Sequence, residues 1–568
     1  MTAQDVQATF CATLVDEWVR CGLAVAVVSP GSRSTPLALA LAADGRLRVE
    51  VHIDERSAGF LALGVGRATG RPAVVVTTSG TAAAELHPAV AEADLDGVPL
   101  LLCTADRPAE LRDVGAAQTI DQSRLFGPAV RWFAEPGVPD AVVAGRWRSL
   151  AARLVAEATG RRPGPVHANL AFREPLLGAA GPLPAAREVG PWATRSGGDA
   201  VPPLEDLVPG GLDGRRGVVV VGAGAGEPDA VLSLAGGLGW PVLPDARAAA
   251  RVPGDLVVVH ADAILRSPDA AAALRPEVVL RLGGLPASRV VAEWLAASGA
   301  HEVVVGGAGC WPDPAGTAAT LVDARPSDAV AAWSGRGPIR AVAGWTSTWV
   351  TAERAAAAAI DEVLAAAPGP SEPSVARDLL GALPAGAQLV VSSSMPIRDL
   401  EWYAPPRRGV VVHANRGANG IDGVVSTAVG VALGSGSPTA LLVGDLAFLH
   451  DSNGLLGAAG RAVDLVVVVV DNDGGGIFSL LPQAGALPDG RFEQLFGTPH
   501  GLDVVAVARA LGVEARPAND VGAEVVEALE RGGVHVLALR TDRLANADLH
   551  RSLSERAAAA VSRALQGG

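Results

Sequence analysis

The sequence predicts an α/β protein of three domains, each a doubly wound parallel sheet. Three observations predict it. Helix-like and strand-like segments alternate through residues 1–180, the pattern of strands joined by crossover helices. Gly/Pro-rich passages at about 177–215 and at Pro368-Gly369-Pro370 divide the chain into lengths that suit domains. Residues 465–470 are six apolar residues in a row, as in a strand buried on both faces.

Taken in order, residues 5–20 carry apolar side chains at helical spacing. Residues 23–28 read as a buried strand, with Ser29-Pro30-Gly31-Ser32 as the loop after it. A strand at 47–53, a helix at 57–67, a strand at 72–76, a helix at 81–93 and a strand at 99–103 follow. A strand at Gly217–Val221 and a glycine-rich turn open a second unit that runs to about 340. The third unit follows alanine-rich helix and holds strands at 439–443 and 465–470, with a helix at about 452–460. The expected domains are 1–182, 183–355 and 356–568. No internal repeat of 20–50 residues is visible.

Composition excludes several classes. The 568 residues carry a net charge of −14, without the basic field that grips nucleic acid. The four cysteines form no CxxC pair, which argues against a zinc site and a disulfide framework. No apolar run reaches the ~18 residues of a membrane span, and the first residues lack a signal-peptide pattern. The expected compartment is the reducing cytoplasm. There is no lysine, so every side-chain cationic anchor at neutral pH is a guanidinium.

In parallel sheets, ligands bind at the carboxyl ends of strands. Gly444-Asp445 follows the strand at 439–443, and Asn472, 27 positions after Asp445, follows the strand at 465–470. A crossover between neighbouring strands takes about that length, so both oxygen-bearing side chains can share one sheet edge. With a carbonyl of the turn Gly474-Gly475-Gly476 they suit a hard cation such as Mg²⁺. On spacing alone, two ordinary strand-to-loop turns give the same residues. Glu55, between a strand and a helix, reads alone as a helix-N-terminal acid.

These residues resemble the fingerprint of the thiamine-diphosphate enzyme family, in which GD is followed about 27 residues later by N. Leu446 stands where glycine is usual, and Asp471 where asparagine is usual. The resemblance implies Asp445, Asn472 and the Gly474 carbonyl as ligands of Mg²⁺ or Mn²⁺. It implies Gly444, Ile477 and Phe478 beside the cofactor, and Ile421 as the apolar residue that bends it. Glu55 is implied to hydrogen-bond the aminopyrimidine. The cofactor of this family lies between the first domain of one subunit and the third of another, which implies a homodimer or homotetramer.

Five segments narrow the resemblance to the branch that joins 2-oxoglutarate to isochorismate in menaquinone biosynthesis. They are Ser29 to Pro36, His52 to Arg56, Thr104 to Pro108, Ser392 to Arg398, and Asn415 to Gly423. That branch implies Ser32, Arg33, Arg107 and Gln118 at the acceptor, and Ser394, Arg398 and Arg416 at donor and acceptor carboxylates. Arg289 is the implied basic residue of the middle domain. Ala117 departs from the polar or proline residue often found before the glutamine. Another carboligase, such as the FAD-binding acetohydroxyacid synthase, is the alternative. Nicotinamide binding is disfavoured because Glu227 occupies the third glycine position after Gly222 and Gly224.

Overall fold

The computed structural model describes residues 2–195, 200–307 and 309–566. Among the described residues seventeen strands form three sheets, and every pairing between them is parallel. The first sheet holds β1 (Val25–Val28), β2 (Arg48–Val51), β3 (Val74–Thr77), β4 (Leu100–Asp106), β5 (Phe133–Ala134) and β6 (Pro165–Ala171). Its order is β2-β1-β3-β4-β6-β5. The second holds β7 (Gly217–Val221), β8 (Val242–Pro244), β9 (Val278–Leu282), β10 (His301–Val305) and β11 (Ala318–Val322), ordered β11-β10-β9-β7-β8. The third holds β12 (Gln388–Val391), β13 (Val411–His413), β14 (Thr439–Gly444), β15 (Leu465–Asp471), β16 (Glu514–Pro517) and β17 (Val534–Arg540). Its order, β13-β12-β14-β15-β17-β16, repeats that of the first sheet strand for strand. The outer domains therefore share a topology that no sequence repeat reveals.

Alternation along the strands sends side chains to opposite faces. In the first sheet Ala26, Val28, Val74 and Val76 enter one core. Val25, Val27 and Val75 enter another, which they share with Leu441, Val443, Val467 and Val469 of the third sheet. The outer domains are thus welded through a common core, in which helices Glu55–Thr69 and Val424–Ser435 cross. Gly64 and Gly430 permit the crossing, because a Cβ on Gly64 would lie 2.9 Å from the Gly430 Cα. Both helix N-termini therefore hold fixed places relative to the two sheets.

Some expected elements differ. The helix expected at 81–93 is two, Thr81–Ala84 and His87–Leu95, because Pro88 cannot continue an α-helical ladder and restarts it as a first-turn residue. In place of a helix at 452–460 there are 3₁₀ turns at Ser452–Leu455 and Ala458–Gly460, separated by Gly457 at φ 69°. The helix of this region starts earlier, at Asp445–His450. The expected boundary at 355 falls within one helix, Trp345–Ala365, whose Trp349 and Ile360 join the middle-domain core. The C-terminal helix Arg543–Gln566 packs into that same core through Leu553, Ala557 and Val561. No helix among the described residues is long and apolar enough to cross a membrane.

Candidate active site

A cavity of about 550 Å³ opens beyond the carboxyl ends of β12, β14 and β15. In this strand order the chain reverses direction between β12 and β14, and that switch point is where doubly wound sheets bind ligands. Four segments that follow strands line the cavity. The turn after β12 gives Ser394, and the helix Met395–Tyr403 that follows gives Arg398, while the loop after β13 gives Arg416, Asn419 and Ile421. The end of β14 gives Gly444 and the helix that starts there gives Asp445 and Leu446, while the turn after β15 gives Asn472 and Gly474 and the 3₁₀ turn Gly476–Leu480 gives Ile477 and Phe478.

Asp445 begins its helix and is buried. Its Oδ1 accepts from the Leu446 N–H at 2.7 Å and its Oδ2 from the Gly474 N–H at 2.8 Å. The second bond fixes the glycine turn against the carboxylate. Burial pushes the Asp445 carboxyl above its ordinary range, while those N–H groups oppose the shift. Asn472 donates from Nδ2 to Glu372 Oε1 at 2.8 Å, and its backbone carbonyl accepts from Arg543 Nε at 3.1 Å. Its Oδ1 is buried and has no hydrogen-bond partner among the described residues. A buried, unpartnered amide oxygen on the same cavity wall as a buried carboxylate fits a divalent cation, since a bare carbonyl is costly unless something positive meets it.

Arg398 donates to the Ser394 carbonyl at 2.5 Å. Neither Arg398 nor Arg416 has an acidic partner among the described ion pairs of the chain. Burial lowers the pKa of both guanidinium groups, and Arg247 and Arg398 add like-charge repulsion at Arg416. Glu401 acts on both from a distance, but neither is salt-bridged, and two partly buried cations so placed on one cavity wall suit a carboxylate ligand. Ser394 holds a left-handed backbone, φ 73°, immediately before the helix Met395–Tyr403.

The first domain assembles its own cluster at the matching strand ends. Ser32 is exposed in the loop after β1, and Arg33 is buried, donating to the Phe172 carbonyl and to Glu174. Arg107 follows β4 and donates to Ser79 Oγ at 2.8 Å and to the Ala117 carbonyl at 3.1 Å. Gln118 takes φ 55°, and its carbonyl accepts from Ser79 Oγ. Ala117 therefore contributes through its backbone where its side chain has nothing to offer. Glu55 is half-buried as the first residue of its helix. Burial raises its pKa, and the charges of Asp54 and Glu85 add to the rise. Glu55 and the Arg33–Arg107 cluster do not line the third-domain cavity of the same chain.

The chain matches three family models in succession. They are the thiamine pyrophosphate enzyme N-terminal TPP binding domain at 9–125, the middle domain at 210–391, and the C-terminal TPP binding domain at 392–539. It is 47% identical over 561 residues to the 2-succinyl-5-enolpyruvyl-6-hydroxy-3-cyclohexene-1-carboxylate (SEPHCHC) synthase of Thermobifida fusca, covering 96% of this chain and 98% of the relative. It is 45% identical to the enzyme of that name from Myxococcus xanthus, covering 96% and 97%. The chain belongs to the SEPHCHC synthase family of thiamine pyrophosphate enzymes. Membership in the SEPHCHC synthase family does not favour the acetohydroxyacid synthase alternative. The fold also matches a benzoylformate decarboxylase from Polynucleobacter necessarius with a TM-score of 0.72 at 16% identity, covering 94% of this chain and 99% of that one.

The departures from the thiamine fingerprint have structural counterparts in this SEPHCHC synthase family member. Leu446 lines the cavity wall. The Asp471 carboxylate is met by Arg540 Nη1 at 2.8 Å, so the added negative charge is paired. Arg289 is not brought to the cavity: its side chain is 86% exposed and pairs with Glu293 one turn along its own helix. Sequence reasoning missed Glu372, Asp399 and His500. Glu372 and Asp399 line the cavity. Burial pushes Glu372 up to about 7, with the Asp399 charge adding to it. His500 Nε2 lies 3.2 Å from Asp445 Oδ2, and Asp445, Asp471 and His500 have ligand atoms within 4.8 Å of one another. His500 sits in an irregular loop with no periodic pattern, so no sequence signal marked it.

Proposed function

We propose that the chain decarboxylates 2-oxoglutarate and adds the succinyl unit to isochorismate by 1,4-addition. The products are carbon dioxide and SEPHCHC, for menaquinone biosynthesis, with thiamine diphosphate and Mg²⁺ or Mn²⁺ as cofactors. The observation that carries this reading is the cavity itself. It joins the Asp445 carboxylate and the unpartnered Asn472 oxygen to two guanidinium groups, Arg398 and Arg416, that are in no ion pair among the described residues.

When bound, thiamine diphosphate supplies the nucleophilic carbon and the electron sink that loss of carbon dioxide needs. Asp445, Asn472 Oδ1 and the Gly474 carbonyl hold the cation. Gly444, Ile477 and Phe478 form the cofactor's wall, and Ile421 braces it. Glu55, with its raised pKa, holds and moves the activating proton. Arg398 and Arg416 grip carboxylates through their forks and, with Ser394, orient the donor. Ser32, Arg33, Arg107 and Gln118 orient the acceptor, and such alignment supplies a large share of the rate.

Because Glu55 and the first-domain cluster lie away from the cavity of their own chain, a second copy completes each site. The working form is a homodimer or a dimer of dimers. A cytoplasmic location fits Cys11, Cys21 and Cys103, which stand as thiols. The test is carbon dioxide release from 2-oxoglutarate, with and without isochorismate. Release that is faster with isochorismate and absent with pyruvate supports the reading, and equal release from pyruvate defeats it.

A further inference from the structure

We infer that Glu372 is a positioning residue that decides which end of the Asn472 amide meets the cation. The inference rests on the metal-site reading given above. An amide's oxygen and nitrogen ends have nearly the same shape, so packing alone does not choose between them. The oxygen end attracts a cation and the nitrogen end repels one.

Glu372 comes from outside the glycine turn, as the first residue of the helix Glu372–Ala382, and is 4% exposed. Its Oε1 accepts from Asn472 Nδ2 at 2.8 Å and from the Thr541 hydroxyl at 3.1 Å. A flipped amide would set a carbonyl oxygen against this carboxylate and lose the bond. The orientation present leaves Oδ1 buried and unpartnered at the cavity that Asp445 also lines. Arg543 pins the Asn472 backbone through its carbonyl, so the amide torsion is the remaining freedom, and Glu372 takes it up. Partners that orient metal ligands in this way are typically worth about 10–100-fold in metal affinity.

The experiment counts free Mn²⁺ by its electron paramagnetic resonance signal, using the full-length protein with saturating thiamine diphosphate. Glu372→Leu should weaken Mn²⁺ binding by about 10–100-fold. Glu372→Gln keeps an acceptor oxygen and should stay within about threefold of wild type. Combined with Asn472→Ala, Glu372→Leu should add no further loss, because the two act through one ligand. Should Glu372→Leu not fold, Thr541→Val loosens the same carboxylate and should weaken Mn²⁺ by about threefold to tenfold. Wild-type affinity in the foldable variant, or full additivity with Asn472→Ala, overturns the role of Glu372. Unchanged Mn²⁺ affinity in Asn472→Ala itself overturns the metal-site reading instead.

Discussion

Gly64 and Gly430 meet backbone to backbone: a Cβ added to either would sit 2.9 Å from the Cα of the other. Their helices carry Glu55 at one N-terminus and follow directly on Ile421 and Gly423 at the other. The crossing therefore sets the spacing between the proton-handling acid's helix and the loop that lines the cavity. Gly430→Val forces the helices apart and should destabilise the chain by about 1–3 kcal/mol or more. Thermal melting checks this, and the stabilisation given by thiamine diphosphate with Mg²⁺ should shrink as well.

Glu55→Gln preserves shape and removes the exchangeable acid. Turnover should fall by about 10²–10⁴-fold, while cofactor-induced thermal stabilisation is kept. Steady-state kinetics beside a melting curve separate these two effects. Unchanged turnover contradicts the assigned role.

Arg416 lines the cavity without an acid partner, so its removal should cost binding and spare the fold. Arg416→Met should raise KM by about 10–100-fold for the substrate whose carboxylate it holds, from a charged hydrogen bond worth about 1.5–3 kcal/mol. The melting temperature of the free protein should hold or rise, because an unpaired, partly buried charge is gone. A lower melting temperature with normal KM would mark Arg416 as a structural residue.

Two buried histidines set a pH limit on stability. Burial lowers His167 and His413 to about 3 from the ordinary histidine value of about 6.5. The neutral rings pair with Thr104 Oγ1 at 2.7 Å and Gln388 Oε1 at 2.8 Å. The unfolded chain takes up these protons below pH 6.5 and the folded chain does not. Stability is therefore complete above 6.5 and falls as pH drops toward 3, by up to about 1.4 kcal/mol per pH unit for each histidine. Denaturant midpoints at pH 7 and pH 5 check this, and His413→Gln should flatten the slope.

The fold class was legible because buried strands such as β15 write themselves as apolar runs, and because the crossover between Asp445 and Asn472 fixes a spacing along the chain. Helix ends were less legible. Pro88 interrupts an otherwise helical pattern, and a left-handed Gly457 splits another, through backbone effects that side-chain periodicity does not carry. The alanine-rich helix Trp345–Ala365 read as the lead-in to the third unit, whereas its Trp345 and Trp349 enter the middle core. The shared strand order of the outer domains resides in pairing, which a sequence comparison does not register. Within the site, residues just past strand ends could be named in advance. Glu372 could not, because it reaches Asn472 from 100 positions away and only through tertiary packing. Arg289, named from the resemblance alone, stands on an exposed helix face beside Glu293 and away from the cavity lining.

The most direct test is complementation between two inactive chains. Co-expressed Glu55→Gln and Asp445→Ala chains should each be inactive alone. If every site takes its acid from one chain and its cation ligands from another, random pairing restores about a quarter of wild-type activity. No activity in isolated mixed dimers would place both groups in a single chain's site and contradict the shared arrangement.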